Sequence, residues 1–419
     1  MRIDAYISVI TDQPPILRHE EIDLSLPVTD RLWAAFRSEE VRDLLSRETV
    51  GRGEQPFSAL MRDSMLTHGR SNLTLPLNED DFHLILCGMQ TGFWEAAHEY
   101  RCSFCCNRHN ETGALDPILS DFKNAAAQRT YFTWREQLSG WQYVKNEVAF
   151  ATSNTHAPQQ DQRQQQLIAT QSTLLFHVSQ IALHANLRLL QGSGCCSRCA
   201  ASSSHRATDQ AAAEIRRWSQ SCDARIAVYS AGRLCNIFLE TPSESSLGTT
   251  ISDRKGSGDH GVAASACDNG NSGGSSSTSD NSRRIAEESR RNRTRELMLN
   301  PLAMIGLLHA ATVLIAYICQ LEGSGQCCPS CNNNGGGAGA AAAHLLDLAA
   351  VPVIDLTSAA LEDAHIEAWI SGSRLAALDG RLLCACRKDE LIAWFGERLA
   401  AYKHYTRTFE SFVKWVRNT

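Results

Sequence analysis

Three short cysteine clusters are the residues of this chain that type and spacing best equip for chemistry. Cys102-Ser-Phe-Cys105-Cys106, Cys195-Cys196-Ser-Arg-Cys199 and Cys327-Cys328-Pro-Ser-Cys331 each contain a C-x-x-C. Two thiolates at that spacing can hold half of a tetrahedral zinc site or form a redox pair. Zinc needs a second ligand pair at finger spacing, but His109 lies too close to Cys105 and His205 too close to Cys199. A site shared by the second and third clusters would have to close across more than a hundred residues. The redox reading needs a βαβ frame, which the surrounding sequence does not offer. All three are read as loop cysteines, and no metal-binding, cofactor-binding or catalytic residue is assigned.

The other candidates also have structural readings. Asp80 and Asp81 follow Asn78 and Glu79 at a helix start, where the helix dipole favours carboxylates without any metal. His177 and His184 lie seven residues apart on one helix face, a placement for core-edge packing or hydrogen-bonded neighbours rather than ligands. H-E-x-x-H, G-x-S-x-G, a P-loop and a G-x-G-x-x-G in strand-to-helix context are absent from the sequence. The chain is read as not an enzyme.

The elements that carry these residues are helical. Phe82, Leu86, Met89, Phe93 and Ala97 recur at helical spacing, and residues 115–146 predict one or two helices with an aromatic face, divided at Ser139 and Gly140. The Gln-rich stretch 156–166 is expected to be a loop. Leu167 to Leu190 predicts a long helix burying Leu174, Val178, Ile181, Ala185 and Leu189, stopped by Gly192 and Gly194. Ala211 to Leu239 predicts another, with Ile215, Trp218, Cys222, Ile226, Tyr229 and Ile237 facing in. A short helix is expected around Leu361 to Ile370, and a closing helix from Asp389 to Arg417 with Leu391, Phe395, Leu399, Tyr402, Phe409, Phe412 and Val416 on one face. No glycine-rich βαβ pattern interrupts the series, so the fold class is expected to be all-α, multi-helix, with long disordered inserts.

Residues 241–296 form the longest insert, a Ser/Gly/Asp/Asn run too poor in apolar surface to offset ordering entropy. Its basic end, Arg283 to Arg295, suits either nuclear import or a solvated helix start, the second being preferred. Residues 332–343 are a further low-complexity insert. Leu297 to Leu321 is twenty-five residues long without an acidic, lysine or arginine side chain, enough to cross a bilayer. In lipid, however, Asn300, Pro301, Thr312 and His309 would need partners, and a buried core helix has the same look, so burial is the preferred reading.

Composition sets the outer bounds. At 419 residues a substantial core is affordable, and a formal charge of -6 argues against a nucleic-acid surface covering the whole protein. The start RIDAYIS is charged at Arg2 and Asp4 and lacks the apolar run of a secretory signal. The sixteen cysteines are therefore expected to be mostly reduced.

The segment Tyr6 to Ala34, YISVITDQPPILRHEEIDLSLPVTDRLWA, carries the sharpest pattern. Pro14 and Pro15 force a helix to end, Ile22, Leu24 and Leu26 alternate as a half-buried extended run, and Thr29 or Asp30 can cap a helix bearing Leu32, Trp33 and Phe36. The order of Pro14-Pro15, Glu20-Glu21, Leu26-Pro27 and Leu32-Trp33 resembles the inside of the fungal transcription factor regulatory domain of the middle-homology, xylanolytic-activator type. Two later patterns are similar to consecutive late helices of that family: His177, Ile181, His184 and Leu187, then Tyr229-Ser230-Ala231-Gly232, where Tyr229 replaces a family histidine. A Pro-led apolar helix with Ala and Tyr, as in residues 297–321, closes that family's core.

The resemblance implies one helical regulatory domain, its first part in residues 1–240 and its closing helices in 297–419, separated by the insert. It implies a nuclear protein controlling RNA polymerase II transcription, with transcription machinery or co-regulators as partners and a homodimer compatible with it. In that family DNA binding and zinc belong to an N-terminal module that this sequence does not display, so Met1 is expected to be a late start and zinc is expected only in that module. A helical interaction scaffold, or a protein anchored in a membrane through 297–321, are the alternatives.

Overall fold

The computed structural model describes residues 1–26, 56–66, 79–95, 97–98, 159–191, 205–239, 300–321, 353–358, 361, 363–372, 375–400 and 403–418. The cysteine clusters, the expected helices at 29–36 and 115–146, and the inserts at 241–296 and 332–343 fall outside these residues. Among the described residues the chain is mostly helical, with one small sheet.

Helix α1, Arg2–Thr11, stops where sequence demands: Asp12 takes the left-handed conformation at φ 55°, and its N–H reaches back to the Ser8 carbonyl. Pro14 and Pro15 then prevent resumption. The returning chain is pinned to the first turn of α1, because the Asp4 carboxylate accepts from the backbone N–H groups of Ile16 and Leu17 at 3.1 and 2.8 Å. The extended run that follows only partly matches expectation: Leu26 is buried and Ile22 half-buried, but Leu24 is 74% exposed. The backbone explains the exposure, since residues 22 and 24 use their carbonyls to receive Ser58 and Phe57 of helix α2, Phe57–Leu66.

Helix α3, Glu79–Gly88, continues past a turn at Met89 through residues 90–95, and Phe82, Leu86, Met89, Phe93 and Ala97 are all buried as expected. Helix α4, Gln159–His184, begins inside the stretch expected to be a loop. Glutamine is a good helix former, and composition alone concealed that. The helix also ends earlier than expected. Asn186 accepts the Leu189 N–H at 3.2 Å and starts a separate turn, α5, Leu187–Leu190. The single helix expected over 211–239 is likewise two, α6, His205–Ser219, and α7, Cys222–Leu239. Ser221 divides them by donating to the Trp218 carbonyl and accepting from the Ala224 N–H.

The centre of the molecule is α8, Pro301–Gln320. Asn300 caps it by accepting from Leu302 at 2.9 Å, and Pro301 occupies the first turn, where no N–H is needed. This helix is long and apolar enough to cross a membrane, yet 89% of its apolar window is buried against protein. Helices α4 and α7 cover it from one part of the sequence; α10, Lys388–Leu399, and α11, Lys403–Asn418, cover it from another. With about 1.5–3 kcal/mol for each fully buried large aliphatic side chain, its sixteen buried residues anchor the core. Helices α10 and α11 replace the single closing helix expected; the Thr406 hydroxyl satisfies the Leu399 carbonyl at the break.

The expected helical fold holds as mostly α among the described residues, with the addition of a three-stranded sheet of order β1-β2-β3: β1, Val353–Asp355, β2, Leu375–Leu378, and β3, Arg381–Leu382. β1 and β2 pair in parallel around helix α9, Asp363–Ile370, a small βαβ unit, and β3 returns antiparallel. The hairpin turn is Asp379-Gly380, both at positive φ. An Asp-Gly between Leu378 and Leu382 is the sequence signal that was available for it. Gly232 of α7 lets this unit approach, since a Cβ there would lie 2.5 Å from the Cβ of Leu356.

Candidate functional site

Helix α4 contributes both to a buried hydrogen-bonded chain, through Ser172, and to a cavity, through Ser179 and Ala182. The buried chain starts on α1. The Tyr6 hydroxyl meets His83 Nε2 at 2.8 Å, and His83 Nδ1 meets the Ser172 hydroxyl at 2.9 Å. Ser172 has one proton, and the carbonyl of Ile168 at 2.9 Å is there to take it. His83 Nδ1 therefore carries hydrogen and donates, leaving Nε2 to accept from Tyr6. That polarity is the reverse of a serine nucleophile facing a base. Burial first, and then the Arg2 guanidinium, hold His83 down to about 4, with Asp80 opposing. Burial raises Tyr6 above its ordinary range. The trio is a neutral strut that ties α1 and α3 to α4.

The cavity, about 400 Å³, lies between α1, the 90–98 segment, α4, α5, α8 and α11. Val9, Ile10, Phe93, Leu187, Ile305 and Leu308 give it apolar walls. Gln90 and Ser179, at 3% and 2% exposure, are buried polar groups in its lining, which also includes Ser8, Thr11, Gln191, His309, Tyr405 and Thr408. The Gln90 amide donates to the Leu86 carbonyl at 3.1 Å, and the Ser179 hydroxyl lies 2.9 Å from Gln90 Oε1 and 2.7 Å from the Leu175 carbonyl. Asp12 and Arg188 also line the cavity and satisfy each other as an ion pair at 3.0 Å, each partly exposed.

The histidines singled out in the sequence separate in role. His184 Nδ1 meets the Asp223 carboxylate at 2.8 Å, and its carbonyl accepts from the Trp218 indole at 2.9 Å, so it joins α4 to α6 and α7. His177 packs edge-on to Phe176 and Tyr229, its Nδ1 without a partner, and burial followed by Arg233 holds it down to about 3. Asp80 pairs with Arg2, while Asp81 is buried. The sequence reading assigned no residue to the cavity. It did place Phe93, Ala97 and His309 on helical stripes or runs, but not the registers that bring them together, because those depend on how α1 and α11 each pack on α8.

No family model, curated protein or solved structure matches the chain. Among the described residues no group of three or more His, Cys, Asp or Glu side chains is placed to hold a metal ion. The six described cysteines form no disulfide with one another, and Cys87, Cys235 and Cys384 are buried. Burial pushes the Cys87 thiol up to about 12, so it is neutral and unreactive as a nucleophile.

Proposed function

We propose that this chain is the helical regulatory domain of a fungal-type transcription factor, acting in the nucleus on RNA polymerase II transcription. Contact with DNA would come from a zinc module outside these residues, and co-regulators or the transcription machinery would be its partners. The observation that carries the reading is the N-terminal pattern of helix, Pro14-Pro15, acidic extended run and Leu26-Pro27. Its support comes from a body built around one enclosed helix, α8, against which α4 and α7, the helices bearing the two later similar patterns, both pack. A cavity between the first and last described helices gives such a body a place to sense a small molecule.

The test is to fuse residues 1–419 to an unrelated DNA-binding domain and read a reporter in fungal cells. Expected is a several-fold change in reporter output, up or down, relative to the DNA-binding domain alone, with the fusion nuclear. Output equal to that of the DNA-binding domain alone, from a fusion that is folded and present, overturns the reading. An interaction scaffold is the second reading, favoured by the exposed apolar side chains Ile3, Ile7, Ile16 and Leu24 on the N-terminal segment.

A further inference from the structure

We infer that the cavity between α1, α4, α8 and α11 is a binding site for a small, uncharged, largely apolar molecule carrying one hydroxyl or carbonyl oxygen. Four observations carry this. First, about 400 Å³ falls within the size range of small-molecule sites. Second, the walls are apolar: Val9 and Ile10 of α1, Phe93, and Ile305 and Leu308 of α8.

Third, two buried polar side chains in its lining, Gln90 and Ser179, have spare capacity. Gln90 commits one amide N–H to the Leu86 carbonyl and has a second. The single Ser179 proton is shared between the Leu175 carbonyl and Gln90 Oε1, leaving the hydroxyl lone pairs open. An oxygen on the ligand can accept from Gln90, and a hydroxyl hydrogen can reach Ser179. Both side chains are almost fully buried, so an unused N–H there carries a desolvation cost that such a ligand removes.

Fourth, charge selects against ions. Arg188 and Asp12 neutralise each other in a partly exposed pair, so together they add no net charge to the wall. A ligand charge placed beside Gln90 and Ser179 would lose its hydration without gaining a counter-ion.

This inference deepens the regulatory reading, but its test measures binding alone, so the two can fail separately. The purified full chain is titrated with 6-propionyl-2-(dimethylamino)naphthalene, a neutral ketone whose emission shifts to the blue in apolar surroundings. The anionic 1-anilinonaphthalene-8-sulfonate is titrated in parallel. Expected are saturable binding of the ketone at one site and binding of the sulfonate at least ~10-fold weaker. Gln90→Leu should weaken the ketone about tenfold, the loss of one buried hydrogen bond. Ala182→Trp, which fills the cavity from α4, should abolish its binding; Thr408→Trp fills it from α11 should the first variant fail to fold. Leu24→Ser, on the exposed apolar segment, should change nothing.

No saturable binding overturns the inference, as does equal binding of the sulfonate, binding that survives both tryptophans, or binding lost in Leu24→Ser. Binding with these signatures but a silent reporter leaves the site standing and removes the transcriptional reading.

Discussion

His83 and His177 are buried, neutral and held well below the usual histidine value of 6.5, at about 4 and about 3. Above pH 6.5 both are neutral whether the chain is folded or not, so neither makes stability depend on pH there. Below 6.5 the unfolded chain takes up two protons that the folded chain refuses, so stability falls as pH drops through the range from 6.5 toward 3. Each histidine contributes a slope of about 1.4 kcal/mol per pH unit. His177→Leu removes one of them, and it also removes a buried nitrogen that has no partner. The expected outcome is a urea midpoint that falls with acid in the parent and falls less steeply in the variant. Identical slopes from pH 6 to 4 would show that His177 is open to protonation in the folded protein. Asp355 adds to acid lability from the other side. Burial raises its carboxyl, but the hydrogen bonds from Thr357, Gly380 and Asp379 outweigh that and hold it below its ordinary value, so its stabilisation is present above the unfolded value and is lost as pH falls through the folded one.

Between elements, α7 approaches the turn after β1 closely at Gly232. Gly232→Ala would put a methyl carbon 2.5 Å from the Leu356 Cβ, an overlap that neither backbone can absorb cheaply. The expected loss is about 1–3 kcal/mol of unfolding free energy, and in the double variant with Leu356→Gly, which removes the carbon that the methyl meets, the combined cost is less than the sum of the separate ones, as read by chemical denaturation. Full additivity of the two costs would mean the contact does not exist. The sequence made α3, α8 and α10 legible because their apolar residues follow one face or fill all of them. It was less informative where two signals competed. Gln159 to Gln166 read as loop by composition although glutamine favours helix, and Asn186 and Ser221 sit inside longer apolar patterns that they in fact divide. The sheet was missed because its strands are two to four residues long, too short for a period-two pattern to register. The cavity had no local signature at all. Its lining comes from six separate segments, and only packing around α8 assembles them.

At the scale of the whole molecule, α8 is the shared wall of two sets of helices, α4 with α7 and α10 with α11. The faces of α4 and α7 that it covers include Val178 and Leu234, both buried and both beside Gly306. Gly306 allows the close approach to α4, where a Cβ would stand 2.8 Å from the Val178 side chain. A chain cut after Leu239 leaves those faces uncovered. It is expected to show no cooperative thermal transition by circular dichroism and to aggregate, whereas the full chain melts cooperatively. A sharp transition in the cut chain would show that α1 to α7 form a core without α8.

The position of α8 has a consequence during synthesis. A ribosome finishes Leu239 about sixty residues before it begins Pro301, an interval of roughly 3–12 s at ~5–20 residues per second. For that time the nascent chain carries the apolar faces of α4 and α7 without the helix that covers them. Hsp70-type chaperones, which grip exposed aliphatic segments, would find their substrate on the half-built protein, and how fast the message is read between those two codons would set how long they must hold it.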